Sequence, residues 1–225
     1  MFNKNFISLI FAAGGVGSRM GSLIPKQYLP LAGRPIALHS FSLFDSMDEI
    51  DEIIVVCEPE RRHLFNSKKP LRFALPGPRR QDSIRNGLSA VSPNASIICT
   101  HDAARPFAAT QDILKLIQQT IETGAATLAA PVICTIKQAS RERIVEKTLD
   151  RSHLWEIQTP QGLRRDLFEK GFAYAEKNKI EVTDDTSLAE LLGHPVAIVP
   201  SPHRNFKITT PTDLAVANTL CNAIN

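Results

Sequence analysis

No apolar run in this sequence approaches the roughly 20 residues that a membrane-spanning helix requires, so an integral membrane protein of that kind is excluded. No CxxC spacing and no nearby histidine pair accompanies its four cysteines, Cys57, Cys99, Cys134 and Cys221. Zinc is therefore not indicated, and the thiols are expected to be reduced, buried and inert. A block of like charge is missing as well. The 26 Lys+Arg and 23 Asp+Glu are spread along the chain and leave a net charge of +3, which indicates neither a nucleic-acid tail nor an acidic solvating segment. Internal repeats, low-complexity tracts and an interdomain linker are also absent. The opening MFNKNFISLIFAAGG has the apolar segment of a short signal peptide, but it runs straight into glycines and cations. It is read as a first strand, and a cytoplasmic protein is expected.

What is present is enough for a core: 225 residues, 43% of them hydrophobic, suit one generous α/β domain over residues 1–225. Strands are predicted at Phe6 to Ala12, Glu52 to Cys57, Leu71 to Leu75, Ser96 to His101, Ala125 to Ala130 and Val196 to Val199. Helical patterns lie at Pro35 to Asp45, Pro59 to Phe65, Gln81 to Val91 and Thr110 to Thr123, the last with Thr110 as N-cap and Ile113, Leu116, Ile117 and Ile121 on one face. This alternation predicts a mostly parallel, Rossmann-like sheet flanked by helices. Residues 132–161 break the rhythm, alternating apolar and polar residues around SRER, and read as a protruding β-hairpin arm. Helices are expected again at Leu163 to Asn178, Asp184 to Leu192 and from Pro211 to Cys221, and Arg204 to Leu214 reads as a short strand, a polar turn and a helix start.

The stretch LIFAAGGVGSRMGSLIPKQYLP places Gly14, Gly15 and Gly17 behind the first strand, then Arg19 and Lys26. Glycines there let backbone amides approach phosphate oxygens with no Cβ in the way. A P-loop needs GxxxxGK[ST], and no glycine here precedes a lysine. A dinucleotide fingerprint laid on Gly15 and Gly17 meets Met20 at its third position, and a proline-bearing loop follows instead of a helix. Taken singly, Arg19 and Lys26 read as solvated surface cations. Their common loop at the carboxyl end of a strand, where open α/β sheets bind ligands, favours phosphate contacts.

The segment AAGGVGSRMGSLIPKQYLPLAGRPI resembles the signature loop of nucleotide-diphospho-sugar-type nucleotidyltransferases, in which the glycines and a downstream PK wrap a triphosphate. The spelling PKQY, with PGPRRQDSIRNGL, HDAARPF, TLDRSHLWEIQTPQ and RNFKITTPTDL, is similar in particular to the 2-C-methyl-D-erythritol 4-phosphate cytidylyltransferases, from the first strand to the last helix. That resemblance implies transfer of CMP from CTP to a polyol phosphate, with pyrophosphate leaving, in the non-mevalonate route to isoprenoids. It implies Arg19, Lys26 and Lys207 as catalytic cations, and Ala13, Gly14, Gly15, Gly17, Gly77, Asp82, Ser83, Asp102 and Ala103 around the nucleotide. It further implies Mg2+ near Asp102, and a homodimer in which arms exchange, so that Arg151 helps hold the substrate phosphate in the partner's site. Thr135, Thr159 and Thr183 match threonines near that phosphate. Without the resemblance, Asp82 and Ser83 read as helix capping, Asp102 as a turn residue, Lys207 as a solvent-facing lysine and Arg105 as a loop brace. Pro76 replaces the first glycine of the family's GGxxRxDSV and Pro78 is a second departure, which bears on cytosine selection. A cytidylyltransferase for another polyol phosphate such as ribitol 5-phosphate, and an inactive nucleotide-binding regulator, are the alternatives.

Overall fold

The structure, a computed structural model, describes residues 2–15 and 24–224. In chain order it comprises β1 (Ile7–Ala12), the short pair β2 (Pro30–Leu31) and β3 (Arg34–Pro35), α1 (Ile36–Ser46), β4 (Glu52–Val56), β5 (Leu71–Ala74), α2 (Arg80–Ser89), β6 (Ile97–Asp102), α3 (Thr110–Thr123) and β7 (Ala125–Pro131). There follow the hairpin strands β8 (Lys137–Ala139) and β9 (Val145–Thr148), then β10 (Trp155–Arg164), α4 (Arg165–Lys177), α5 (Ser187–Glu190), β11 (Ala197–Pro200) and α6 (Pro211–Ile224).

Seven strands form one sheet in the order β11-β7-β10-β6-β1-β4-β5. β1, β4, β5 and β6 run parallel, and β10 lies antiparallel between β6 and β7. β1, β4 and β6 are buried on both faces, as crossover helices demand, whereas the edge strand β5 leaves Arg72 exposed. Leu9 and Phe11 pack into one core cluster with Phe44, Ile113 and Ile117, while Ile10 between them joins Ile54, Ile84 and Phe168 on the other face. Register brings the strand ends level: Ala12 stands beside Asp102 on one side and Val56 on the other, and Val56 beside Ala74. The loops leaving β6, β1 and β5 thus share one edge of the sheet.

Several expectations are corrected. The Pro59 to Phe65 helix is a 3-10 turn, Pro59–Leu64, with no buried residue to hold a full helix against the sheet. Thr110 is the first residue of α3 and not its cap; Ala109 holds the cap position without a side-chain bond, and the helix ends at Gly124 with φ +90°. The second half of the expected arm, Trp155 to Gln161, is a strand of the main sheet, so the hairpin proper is confined to β8 and β9. Arg204 to Thr210 forms no strand: Asp213 takes the Thr209 and Thr210 amides (2.8 Å each), and side chain to backbone bonds of this kind compete with a ladder. Cys134 is exposed, unlike the three buried cysteines.

Gly87 sets how closely α2 rests on the sheet. A Cβ there would stand 2.6 Å from Ile10 Cγ2 and 3.0 Å from Val56 Cγ2. Gly87→Ala is therefore expected to destabilise the protein by about 1–3 kcal/mol, as over-packing does, read as a lowered midpoint in chemical denaturation.

Candidate active site

β1 ends at Ala12, and the backbone beyond it is held from one side. Gln27 Nε2 donates to the carbonyls of Ala13 (2.7 Å) and Gly15 (2.8 Å), and Tyr28 Oη donates to Ala13 (2.9 Å). Because a trans peptide points its N–H opposite its C=O, the Gly14 amide is turned away from Gln27. Gln27 and Tyr28 sit with Lys26 in a 3-10 turn, Lys26–Tyr28, so one short turn both fixes the loop and presents the lysine. Ala12, Gly14, Gly15 and Lys26 line a cleft of about 250 Å3 with Gly77, Ser83, Asp102, Ala103 and Lys207. Ala13 contributes its backbone carbonyl behind that wall. Gly17 and Arg19 lie outside the described residues.

From β5 the chain turns through Pro76 to Arg79 into α2. The Gly77 amide donates to Ser83 Oγ at 2.9 Å. Asp82, expected at the nucleotide, does not line this cleft. Its carboxylate accepts from the Arg79 amide (3.2 Å) and from Arg79 Nε and Nη2 (2.9 Å each), so it caps α2. The Arg79 hydrogen bond holds its carboxyl below the usual range.

At the end of β6, Asp102 is 7% exposed and meets three cations. Oδ1 lies 3.1 Å from Arg80 Nε, and Oδ2 lies 2.7 Å from Lys207 Nζ and 4.0 Å from Arg105 Nε. Burial alone would raise this carboxyl, but Arg80, Lys207 and Arg105 keep it well below the ordinary range. Arg80 also grips buried Asp185 through both terminal nitrogens (2.8 and 2.7 Å), and Asp185 accepts from Thr100 Oγ1 at 2.6 Å. Burial opposes the charge of Arg80, and the two carboxylates more than restore it. Arg105 donates to the carbonyls of Asn205 (2.7 Å) and Ile157 (3.3 Å), which braces the loop after β6.

Arg80, Asp102 and Lys207 also border a second space of about 520 Å3, which Thr159 and Thr183 line with Arg105, Gln161 and Asp184. Thr159 Oγ1 accepts the Asp102 amide at 3.0 Å and lies 3.1 Å from His101 Nδ1. Gln161 Oε1 accepts the Asp185 amide at 2.8 Å, anchoring the segment that carries Thr183. Thr135 and Arg151 line neither space. Arg151 is exposed and its guanidinium donates to the Ile133 carbonyl, so one chain does not bring the arm to its own cleft. Reading residues alone missed Gln27, Arg80 and Asp185, although PKQY, RRQ and VTDD were the segments that carry them.

Among the described residues no group of three or more His, Cys, Asp and Glu side chains is placed to hold a cation. Among the described residues Asp102 is the one carboxylate lining the smaller cleft. A single hard oxygen donor fits a divalent ion whose other ligands are phosphate oxygens and water, and does not fit a cation caged by protein.

Open backbone and clustered cations at the carboxyl edge of a mostly parallel sheet, with no histidine–carboxylate couple lining either space among the described residues, are what a nucleotidyltransferase site with room for a second anion requires. The family model for 2-C-methyl-D-erythritol 4-phosphate cytidylyltransferase matches residues 7–223. The chloroplastic enzyme of that name from Oryza sativa is 45% identical over 221 residues, 96% of this chain and 74% of the rice protein. That from Chlamydia pneumoniae is 43% identical over 213 residues, 95% and 98% of the two chains. The crystal structure of the Francisella tularensis enzyme superposes with a TM-score of 0.83 at 32% identity, covering 96% of this chain and 99% of the other. This chain belongs to the 2-C-methyl-D-erythritol 4-phosphate cytidylyltransferase family.

His101 is fully buried behind Asp102, and burial pushes its imidazole down to about 4. A histidine depressed in the folded state contributes stability that is complete above its unfolded value near 6.5 and is lost as pH falls toward about 4. Unfolding free energy is thus expected to drop by roughly 3 kcal/mol across that window, with a shallower slope in His101→Gln. Asp102, depressed as a carboxylate, adds a further loss only at and below its unfolded value near 3.8. Denaturant melts of both proteins at a series of pH values measure the slopes.

Breaking the buried pair gives a second expectation. Asp185→Asn leaves Arg80 without its bidentate partner and should cost about 3 kcal/mol of stability, seen in the same melts.

Proposed function

We propose that this chain transfers CMP from CTP to 2-C-methyl-D-erythritol 4-phosphate, forming the CDP-alcohol and pyrophosphate for isoprenoid precursor synthesis. The observation that carries the reading is a pair of adjoining spaces, one edged by the glycine loop and Lys26, the other by Thr159 and Thr183, that meet at Arg80, Asp102 and Lys207. The nucleotide occupies the first and the polyol phosphate the second. A phosphate oxygen of the polyol attacks the α-phosphorus of CTP in line. The new P–O bond forms as the bond from the α-phosphorus to the bridging oxygen breaks, and pyrophosphate carries away that electron pair.

The attacking phosphate is already anionic at neutral pH, so the protein supplies position and positive charge and no strong base. Lys26 and Lys207 neutralise the charge that builds on the phosphoryl oxygens, as does Arg19 in this reading. Gly14, Gly15, Ala13 and Ala103 border the nucleotide, Gly77 with Ser83 faces the base, and Gly17, outside the described residues, is assigned to the nucleotide by the resemblance alone. Mg2+, when bound, supplies charge neutralisation on the nucleotide phosphates, and Asp102 would be its protein ligand.

A homodimer completes the second space, with Arg151 and Thr135 of one chain reaching the polyol phosphate of the other. Ile133, Ile144 and Val145 are exposed on the arm, 63%, 67% and 56%, in support of a partner surface there. The reading includes a cytoplasmic location, with which the free buried cysteines agree. No described helix is long and apolar enough to cross a membrane.

The decisive assay is pyrophosphate release from CTP, Mg2+ and 2-C-methyl-D-erythritol 4-phosphate, with ribitol 5-phosphate as competitor substrate. Turnover is expected with the first and poor turnover with the second; faster reaction of ribitol 5-phosphate reverses the substrate assignment. Lys26→Ala is expected to lower kcat at least about 100-fold while CTP affinity falls far less, because the lost charge acts chiefly in the transition state.

A further inference from the structure

Gln27 is 3% exposed, and a primary amide buried to that degree must place its hydrogens on acceptors. Its partners are the carbonyls of Ala13 at 2.7 Å and Gly15 at 2.8 Å. A carbonyl can only accept, so the nitrogen of Gln27 and not its oxygen faces them. Tyr28 Oη gives the Ala13 carbonyl a second donor at 2.9 Å. Burial pushes the phenol up, so it keeps the proton that it donates. The peptide carrying that carbonyl cannot turn over without breaking two buried hydrogen bonds.

The backbone on either side is equally committed. The Ala12 carbonyl accepts the Ala103 amide at 3.0 Å, and the Ala13 amide donates to the Val56 carbonyl at 2.9 Å. The amides of Gly14 and Gly15 are different: among the described residues neither meets a protein acceptor. Both glycines line the smaller cleft beside Lys26. From across the loop Pro76 presses on Gly14, where a Cβ would stand 2.3 Å from Pro76 Cβ. The loop is therefore clamped between a proline ring and the Gln27 side chain.

Gln27 itself borders the same cleft, but it cannot hold a phosphate. Both its hydrogens are spent on carbonyls, and its oxygen is an acceptor. What it can do is aim other donors. It follows Lys26 in a turn closed by the Tyr28 amide on the Pro25 carbonyl (2.9 Å) and the Leu29 amide on the Lys26 carbonyl (3.1 Å). A shift of Gln27 therefore moves the lysine and frees the glycine peptide together.

We infer that Gln27 is a positioning residue for phosphoryl transfer: by bridging the Ala13 and Gly15 carbonyls it locks the open Gly14 amide and the adjacent Lys26 into one rigid set of donors for the nucleotide phosphates. The inference rests on the CTP reading above. A glycine backbone has the most conformational freedom to lose, and a donor helps a transition state only if it is oriented before the charge develops. Gln27 bears the cost of that orientation in the folded protein, before any nucleotide binds.

Gln27→Met keeps the length of the side chain and removes both donors, with thermal melting to establish folding. In the assay with CTP, Mg2+ and 2-C-methyl-D-erythritol 4-phosphate, kcat is expected to fall about 10-fold or more, while KM for the polyol phosphate, held in the other space, changes less than about twofold. A folded Gln27→Met protein with wild-type kcat overturns the inference. A residue that acts with Lys26 should also lose much of its effect once Lys26 is gone. In Lys26→Ala the same substitution is expected to lower kcat by a factor at least about threefold smaller than in the wild type, and equal factors in the two backgrounds overturn the inference. If Gln27→Met does not fold, 15N-labelled wild-type protein decides. The Gln27 side-chain amide is expected to be protected from solvent exchange with and without CTP, and CTP is expected to shift the Gly14 amide resonance. Rapid exchange of the Gln27 amide, or a Gly14 resonance that CTP leaves in place, overturns the inference. Absence of any CTP turnover in the wild type condemns the functional reading, whereas CTP turnover that Gln27→Met leaves unimpaired condemns only this inference.

Discussion

Asp102 is a carboxylate buried at the end of a central strand, and most of the site is arranged by the need to keep it there as an anion. A buried charge without partners costs several kcal/mol, so cations must converge on it. They come from distant parts of the chain: Arg80 from the start of α2, Lys207 from the loop before α6, and Arg105 from the loop after β6. Arg80 would in turn be over-committed to one carboxylate, and Asp185 answers its other two nitrogens. One network therefore fixes the height of α2, the path of the last loop and the segment following α4, and in doing so draws the boundary between the two spaces.

β10 does the same work from the sheet. An antiparallel strand inserted between β6 and β7 presents Gln158, Thr159 and Gln161 inside, where apolar residues would be the default. Each is satisfied: Gln158 by Asn205 (3.0 Å), Thr159 by the Asp102 amide (3.0 Å), Gln161 by the Asp184 carboxylate (2.8 Å) and the Asp185 amide (2.8 Å). Such polar cores specify one arrangement when complete and are unforgiving when not. Here they tie the polar ends of three loops to the central sheet.

The same residues explain what could be read from the sequence and what could not. Strands such as Leu9 to Phe11 and Ile53 to Val56, apolar on both faces, and α3, with its buried Ile113, Leu116 and Ile117, announce themselves through periodicity. β10 does not, since WEIQTPQ has the alternation of a surface hairpin while its polar residues serve the interior. Arg79 and Arg80 are adjacent and chemically identical, yet one is half-exposed and caps a helix while the other is the hinge of the buried network. Composition and periodicity do not separate them, because the partners that do so are up to 105 positions away; only the family's GGxxRxDSV spelling, whose arginine falls on Arg80, marks the difference. Asp82 illustrates the converse: its local context reads as helix capping, which is the contact it makes with Arg79, while the resemblance implies a place at the nucleotide. Sites are where local rules and global structure part company.

A cleft built to hold phosphates must assemble positive charge before the phosphates arrive, and those charges repel one another. Three cations within about 4 Å of one carboxylate resolve the conflict, since at that separation each attraction outweighs the cation–cation terms acting over longer distances. Asp102 is thus the shared counterion that lets the cationic wall fold, with Asp185 as a second partner for Arg80. It also makes the wall exchangeable. Lys207 is only one-third exposed and bonded to Asp102 at 2.7 Å, so in the proposed reaction a phosphate oxygen entering beside it would take up a partner that is already oriented and already partly desolvated. Little of the interaction is then lost to reorganisation, which is the condition under which a fixed charge lowers a phosphoryl-transfer barrier.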